Sequence, residues 1–291
     1  MKQVTKAVIP CGGCGTRFLP ITKAVAKEML PIIDKPCLDY IVDELVASGI
    51  TEVLLIVSPD KDEIRQYYEP NNRLNARLAS DGKTEELALL HALERKVRVR
   101  FVEQTEPKGS GHAIALAEEF VGGEPFVIAL GDDLMDASIP VSRQLIDVYA
   151  RYGKTVLGVQ RRAVPEILRY GVIDVKRDLG GGTYDMNGIL EKPTVAQLTS
   201  DLATLGRYVV TPDVFDALRN TPVAANGELQ LTDALNLIAH TQGAVAHVFD
   251  GNRYDIGNKL GSLTAIVEYA LKDGTLGEEF ATYLKDITTK L

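Results

Sequence analysis

The chain has 291 residues, 45% apolar and 25% charged, the composition of a globular protein with room for one large α/β domain or two small ones. Lysine and arginine number 32 against 40 aspartate and glutamate, and the resulting net charge of −8 argues against DNA or RNA as partner, because nucleic-acid binders present a basic face. No apolar run of about 18 residues is present, MKQVTKAVIP lacks the apolar core of a signal peptide, and three cysteines make no disulfide framework, so a cytoplasmic protein without membrane contact is expected.

Short apolar runs alternate with helical patterns along the first half. Lys6 to Pro10 reads as a buried strand, Leu38 to Ala47 as a helix stopped at Gly49, and Val53 to Val57 as the next strand. Tyr67 to Arg95 is polar and helical in propensity, an excursion on the surface. Val97 to Val102 and Phe126 to Leu130 are two further strands, with a helix over His112 to Phe120 between them. Strands separated by helices, each strand a continuous apolar run, indicate βαβ units and a mostly parallel sheet covered on both faces. Beyond residue 135 the rhythm loosens. Strands are expected at Thr155 to Val159, Tyr170 to Val175, Ile189 to Glu191, Leu205 to Val210 and Val245 to Phe249, with a glycine-rich turn at Leu179 to Thr183. Helices are expected at Thr232 to His240, Lys259 to Leu271 and Leu276 to Leu284. There is no internal repeat, low-complexity tract or obvious linker.

The first strand runs directly into Cys11-Gly12-Gly13-Cys14-Gly15-Thr16-Arg17. Glycines there let the backbone approach a ligand and adopt positive φ, and successive N–H groups in such a turn form an anion nest. Thr16 adds a hydroxyl, Arg17 a cationic fork, and Lys27 lies ten residues on, within reach of the loop. The stretch lacks the Gly-Lys-Ser/Thr end of a P-loop, and Phe18 stands where a dinucleotide fingerprint needs its third glycine, which counts against an NAD-binding oxidoreductase. The bland alternative is a glycine turn that only joins two elements.

Other candidates read ambiguously by themselves. Asp132, in Gly131-Asp132-Asp133, stands at a strand's carboxyl end, where open α/β sheets bind ligands, but an aspartate pair there also suits a turn or helix cap. Asp255 reads equally as a turn aspartate before Gly257. Gln104 can offer a donor and an acceptor to a base edge, or be merely exposed. Glu191-Lys192-Pro193 reads alone as a strand exit, and His112 as a helix-start residue. Cys11-x-x-Cys14 has redox or half-zinc spacing, without a second ligand pair to complete a metal site; packing is the favoured role, with oxidative blockage of the loop as the alternative.

Gly13-Cys14-Gly15-Thr16-Arg17-Phe18-Leu19-Pro20, followed by Thr22-Lys23-Ala24 and Lys27-Glu28-Met29-Leu30-Pro31, resembles the signature of the sugar-phosphate nucleotidylyltransferases. The form with Phe-Leu-Pro and Thr-Lys-Ala is most similar to the bacterial members that use UTP and glucose 1-phosphate. The likeness runs over nearly the entire chain, with Cys11, Gly12 and Cys14 standing where the family usually has small or aliphatic residues.

The resemblance implies a Rossmann-like, mostly parallel central sheet flanked by helices, in a single domain over residues 1–291. Residues 1–135 would form a nucleotide-binding half, 136–257 a sugar-phosphate-binding half, and 258–291 C-terminal helices that serve a homodimer or homotetramer. It implies Mg²⁺-dependent transfer of UMP from UTP to glucose 1-phosphate, with Arg17 and Lys27 catalytic and Asp132 and Asp255 holding the metal. Gly12, Gly13, Gly15, Thr16, Gln104 and Gly109 would contact the nucleotide, and Gly171, Glu191, Lys192 and Glu228 the sugar phosphate. Use of dTTP or another sugar 1-phosphate, and a non-catalytic nucleotide-sugar sensor, are the competing expectations; a sensor has no need of the whole set of charged residues.

Overall fold

A computed structural model describes residues 2–290. Its strands are β1 (Lys6–Cys11), β2 (Glu52–Val57), β3 (Arg98–Glu103), β4 (Phe126–Ala129), β5 (Asp133–Asp136), β6 (Thr155–Arg161), β7 (Gly171–Gly180), β8 (Thr183–Glu191), β9 (Leu202–Val210), β10 (Ala244–Val248) and β11 (Asn252–Asp255). Its helices are α1 (Cys37–Ala47), α2 (Asp62–Tyr68), α3 (Asn72–Ser80), α4 (Thr84–Arg95), α5 (Ser110–Ala115), α6 (Glu118–Val121), α7 (Val141–Tyr152), α8 (Asp213–Asn220), α9 (Leu231–Thr241), α10 (Lys259–Lys272) and α11 (Gly277–Thr288).

The strands form one nine-stranded sheet in the order β3-β2-β1-β4-β9-β6-β10-β8-β7, and β5 pairs with β11 in a separate ribbon. All of the nine except β9 and β8 run in one direction, as the pairings require, so the strands are mostly parallel in direction, as expected, and the two reversed strands make the sheet mixed. The pleat of β1 explains why its sequence is apolar from Ala7 to Cys11. Ala7, Ile9 and Cys11 point into the core shared with α1, and Val8 points into the core beneath α5, α8 and α9. Each such fully buried Val or Ile side chain stabilises by about 1.5–3 kcal/mol. No helix of the described residues is long and apolar enough to cross a membrane.

The local signals act through identifiable bonds. After α1, Gly49 takes φ 95°, its N–H donates to Val46 O at 2.9 Å, and Ile50 N–H donates to Leu45 O at 3.1 Å. These are the two bonds of a Schellman stop, which glycine permits. Between β7 and β8, Gly181 and Gly182 have φ of 60° and 73° and form a two-residue turn from Gly180 to Thr183. That hairpin is longer than expected because Lys176 to Leu179 and Thr183 to Gly188 alternate without a clear apolar run. The surface excursion is α3 and α4, neither of which buries a residue.

Two differences bear on the site. The helix expected over His112 to Phe120 is two short helices. α5 begins earlier, at Ser110, and the chain breaks at Leu116-Ala117 before α6, where both residues have caps with ψ near zero. The β5–β11 ribbon was not expected, since each strand has only four residues. It sets Asp133 opposite Asp255.

Candidate active site

β1 lies between β2 and β4, and chain connections leave it in opposite directions on either side. That is the switch point at which open α/β sheets hold ligands outside the strand carboxyl ends. Two segments leave those ends. From β1 comes the loop Gly12 to Gly15, and from β4 the link Leu130 to Asp132.

The loop is closely packed against its surroundings. A Cβ at Gly12 would lie 2.7 Å from Gln104 Oε1, and one at Gly13 would lie 3.4 Å from Lys27 Cε. Gly15 has φ 61°, and its carbonyl accepts from Thr22 Oγ1 at 2.8 Å. Thr16 and Arg17 follow in a single exposed 3₁₀ turn, and Arg17 Nη1 donates to Gly257 O at 3.3 Å. Lys27 opens another 3₁₀ turn and reaches back over the loop, with its Nζ 2.5 Å from Asp132 Oδ2 and 4.0 Å from Glu28 Oε1. Burial alone would lower the Lys27 ammonium, but Asp132 and Glu28 overcome it and hold the group above its ordinary range. Burial likewise opposes ionisation of Asp132, and Lys27 reverses that and lowers the carboxyl. Both partners are therefore charged at neutral pH.

Asp255 enters through Gly257. A Cβ at Gly257 would lie 2.9 Å from Asp132 Oδ2 and 3.0 Å from Asp255 Oδ1, so both carboxylates border the same small space, at the rim Arg17 touches. No cluster of three or more His, Cys, Asp or Glu side chains with metal-binding spacing occurs among the described residues. Two carboxylates that leave the remaining positions to phosphate oxygens and water are nonetheless the donor set Mg²⁺ accepts.

Gln104 is 8% exposed, not a surface residue. Its Nε2 donates to Gly109 O at 3.2 Å and lies 2.9 Å from His112 Nδ1. The carbonyl acceptor at Gly109 fixes the amide, which turns Oε1 toward Gly12. His112, the third residue of α5, thus steadies Gln104. Gly109 has φ 95°, and Leu229 N–H donates to Lys108 O at 2.8 Å while Gly111 N–H donates to Leu229 O at 2.8 Å. Through these bonds the segment before α9 closes one wall.

The result is a cavity of about 370 Å³ whose lining includes Gly12, Gly13, Lys27, Gln104, Gly109, Asp132 and Glu228. Glu228 lies on the Gly109 side, and its carboxylate accepts from Gln230 Nε2 at 2.7 Å and Asn226 Nδ2 at 3.1 Å. Gly171, Glu191 and Lys192 sit together at one end of the β7–β8 hairpin. Gly171 pairs with Glu191, Lys192 N–H donates to Tyr170 O at 3.1 Å, and Lys192 Nζ is 3.3 Å from Glu191 Oε1. They do not line the cavity. Lys192 has φ 45°, uncommon outside glycine and asparagine.

The family of this chain follows from its sequence profile, in which residues 6–272 match "Nucleotidyl transferase". The chain belongs to the nucleotidyl transferase family. A relative in Staphylococcus saprophyticus, UTP–glucose-1-phosphate uridylyltransferase 2, is 41% identical over 287 residues, covering 99% of each chain. A UTP-bound UGPase structure from Acinetobacter baumannii matches with TM-score 0.90 at 35% identity, covering 97% of this chain and 99% of that one. A UDP-glucose pyrophosphorylase complexed with UDP-glucose matches with TM-score 0.83 at 34% identity, covering 93% and 100%.

In this nucleotidyl transferase the candidate site rests on a buried polar frame that sequence reasoning did not find. Arg207 has no exposed surface; it donates from Nε to Glu44 Oε2 at 2.8 Å and from Nη2 to Asp133 O at 2.9 Å. Asp133 accepts from Arg253 Nε at 2.7 Å, and Arg253 Nη1 donates to Tyr170 OH at 2.9 Å. Burial pushes the Asp133 carboxyl up to about 6 against the pull of Arg253, and neighbouring Asp132 adds to the rise. The chain Tyr170–Arg253–Asp133 ties the hairpin bearing Lys192 to the link bearing Asp132. In sequence, these residues carry no spacing signal, because their partners lie 83 and 120 positions apart.

The two loop cysteines of this nucleotidyl transferase stand in different surroundings. Cys11 is buried and Cys14 exposed, and both are free thiols. Burial, with Glu28 nearby, pushes the Cys11 thiol well up, so it does not supply a reactive thiolate. Cys11 Sγ packs beneath Gly131, 3.3 Å from where a Cβ there would lie.

Proposed function

We propose that this chain transfers UMP from UTP to glucose 1-phosphate and releases pyrophosphate. The relatives that support it are named for that activity and align over nearly their full length. The observation that carries it is the convergence of a glycine loop, Lys27 and Asp132 at the switch point of the sheet. A phosphate oxygen of glucose 1-phosphate attacks the α-phosphorus of UTP in line, the new P–O bond forms as the bond to the β-phosphate bridging oxygen breaks, and pyrophosphate leaves. The nucleophile is already an anion, so the enzyme's work is positioning and charge neutralisation, not proton transfer.

Each residue then has a task. The amides at Gly12, Gly13 and Gly15, with Thr16 and Arg17, hold the β- and γ-phosphates. Lys27 offsets charge growing on the α-phosphate. Gln104 Oε1 faces the loop as an acceptor, the partner a pyrimidine N3–H requires, and Gly109 lets the base approach without a side chain. Lys192 holds the attacking phosphate, Glu191 accepts from sugar hydroxyls beside Gly171, and Glu228 borders the opposite side. Asp132 and Asp255 would hold Mg²⁺, which supplies Lewis-acid neutralisation of phosphate charge when bound. The reading divides the chain into a nucleotide half, a sugar-phosphate half and terminal helices. It takes the exposed Leu260 and Leu263 of α10 as contacts of a cytoplasmic homodimer or homotetramer.

The test is pyrophosphate release from a matrix of UTP, dTTP and other triphosphates against several sugar 1-phosphates, with and without Mg²⁺. The reading expects UTP with glucose 1-phosphate and Mg²⁺ to give the highest kcat/KM. A different pair an order of magnitude better, or undiminished turnover in EDTA, overturns it.

A further inference from the structure

Behind the glycine loop lies a buried charge that the scheme above leaves without a task. Lys61 is 6% exposed, in the turn that joins β2 to α2. Its Nζ donates to Cys11 O at 2.5 Å, Gly13 O at 2.8 Å and Glu28 Oε2 at 2.9 Å. An ammonium has three N–H donors, and here each has an acceptor. Burying a lysine is costly unless it is paired, and a loop that only connected two elements would not need it.

The geometry of the peptide unit says what this arrangement does. In a trans peptide the C=O of one residue and the N–H of the next point in opposite directions. Holding Cys11 O and Gly13 O toward Lys61 therefore turns the N–H groups of Gly12 and Cys14 the other way. Gly12 and Gly13 line the cavity, so the carbonyls, which would repel an anion, are held on the buried side. The same turn braces Lys27. Glu28 stands between the two lysines, with Oε2 2.9 Å from Lys61 Nζ and Oε1 4.0 Å from Lys27 Nζ, and Glu63 of α2 accepts from Ala26 N–H at 2.5 Å, one residue before Lys27.

We propose that Lys61 is a positioning residue: its buried ammonium holds the carbonyls of Cys11 and Gly13 off the cavity, so that the N–H groups of Gly12 and Cys14 are turned toward the triphosphate. The proposal rests on the reading of the loop as a UTP site. Lys61 itself touches no reacting atom, and its effect falls on nucleotide binding, not on the sugar phosphate.

Lys61→Met alone would leave Glu28 buried and unpaired, so the decisive variant is Lys61→Met/Glu28→Gln, which removes both charges at similar volume. A second variant, Lys61→Arg, keeps a cation beside Glu28 but replaces the tripod with a planar fork. For the double variant we expect a melting temperature close to wild type. Its dissociation constant for UTP, by calorimetry, should rise about ten- to hundredfold, the size of losing charge-assisted bonds. KM for glucose 1-phosphate should stay within twofold, and hydrogen exchange at the amides of residues 12–16 should accelerate in the ligand-free protein. Lys61→Arg should fold and show a smaller loss of UTP affinity in the same direction. Wild-type UTP affinity together with wild-type exchange in the double variant overturns the proposal; should that variant unfold, wild-type UTP affinity in Lys61→Arg does so. A wild-type protein that binds UTP but makes no pyrophosphate with glucose 1-phosphate overturns the functional reading instead, and Lys61 is then decided by UTP affinity and exchange alone.

Discussion

Lys27 and Asp132 stand 105 positions apart in sequence and meet with Nζ 2.5 Å from Oδ2, between the loop after β1 and the link after β4. The pair raises the lysine and lowers the aspartate against the burial of both, so a fixed positive charge waits where the α-phosphate is proposed to sit. Lys27→Ala should lower kcat by about 10²–10³, as loss of one preorganised donor does. Because both side chains are partly exposed, the melting temperature should fall by only a few degrees. Steady-state kinetics with both substrates checks it, and a wild-type kcat would remove Lys27 from the mechanism.

Gly109 is held at φ 95° with Leu229 O 2.5 Å and Glu228 Cβ 2.9 Å from where its Cβ would stand. Alanine there must move the loop off the segment before α9, and with it the carbonyl that orients Gln104. Strain of about 1–3 kcal/mol, at 1.4 kcal/mol per factor of ten, gives a KM for UTP raised about tenfold or more in Gly109→Ala. The KM for glucose 1-phosphate should change little. Equal increases in both constants would place Gly109 elsewhere than at the base.

How much of this was legible in the sequence divides along one line. Elements built from continuous apolar runs, such as β1, β2 and β4, announce themselves because both their faces are buried. The glycine loop does too, because it packs three glycines into four consecutive positions. The β5–β11 ribbon and the buried frame of Arg207, Asp133 and Arg253 were not legible. Their meaning lies in pairings between distant segments, and Asp133 looks like half of a turn until Arg253 is brought to it. Lys61 was hidden for the same reason, in Pro59-Asp60-Lys61-Asp62, which reads as a polar surface turn although Lys61 is buried. Gln104, in contrast, stands out in the sequence as a candidate, but only the fold shows that the acceptor end of its amide faces the loop.

Arg207 should matter to stability more than any residue that touches substrate. Its guanidinium serves Glu44, the carbonyls of Gly206 and Asp133, and more distantly Leu130, with no exposed surface. Arg207→Met leaves Glu44, which is almost wholly buried, with the Ser142 N–H at 2.7 Å but without its cation. Breaking a buried pair from one side costs about 3–5 kcal/mol. The urea midpoint should fall accordingly, and a midpoint shift equivalent to less than about 1 kcal/mol would show that solvent reaches Glu44 readily.

His247 offers a pH test at the end of the β7–β8 hairpin opposite Lys192. It lies on β10, opposite Thr183, and its Nδ1 is 2.9 Å from Thr183 Oγ1. Burial lowers its pKa below the ordinary 6.5, so the folded chain resists protonation and the unfolded chain does not. The unfolded state therefore binds more protons as pH falls below about 6.5, and the stability due to neutral His247, full above that pH, is lost as pH drops toward the folded value. His247→Gln cannot titrate there. The melting temperature of wild type relative to His247→Gln should decline between pH 7.5 and 5.5, while kcat at pH 7.5 stays within twofold, because the turn lies at the far end of the hairpin from Glu191 and Lys192. A constant difference across that range would mean that His247 is as accessible to protons in the folded chain as in the unfolded one.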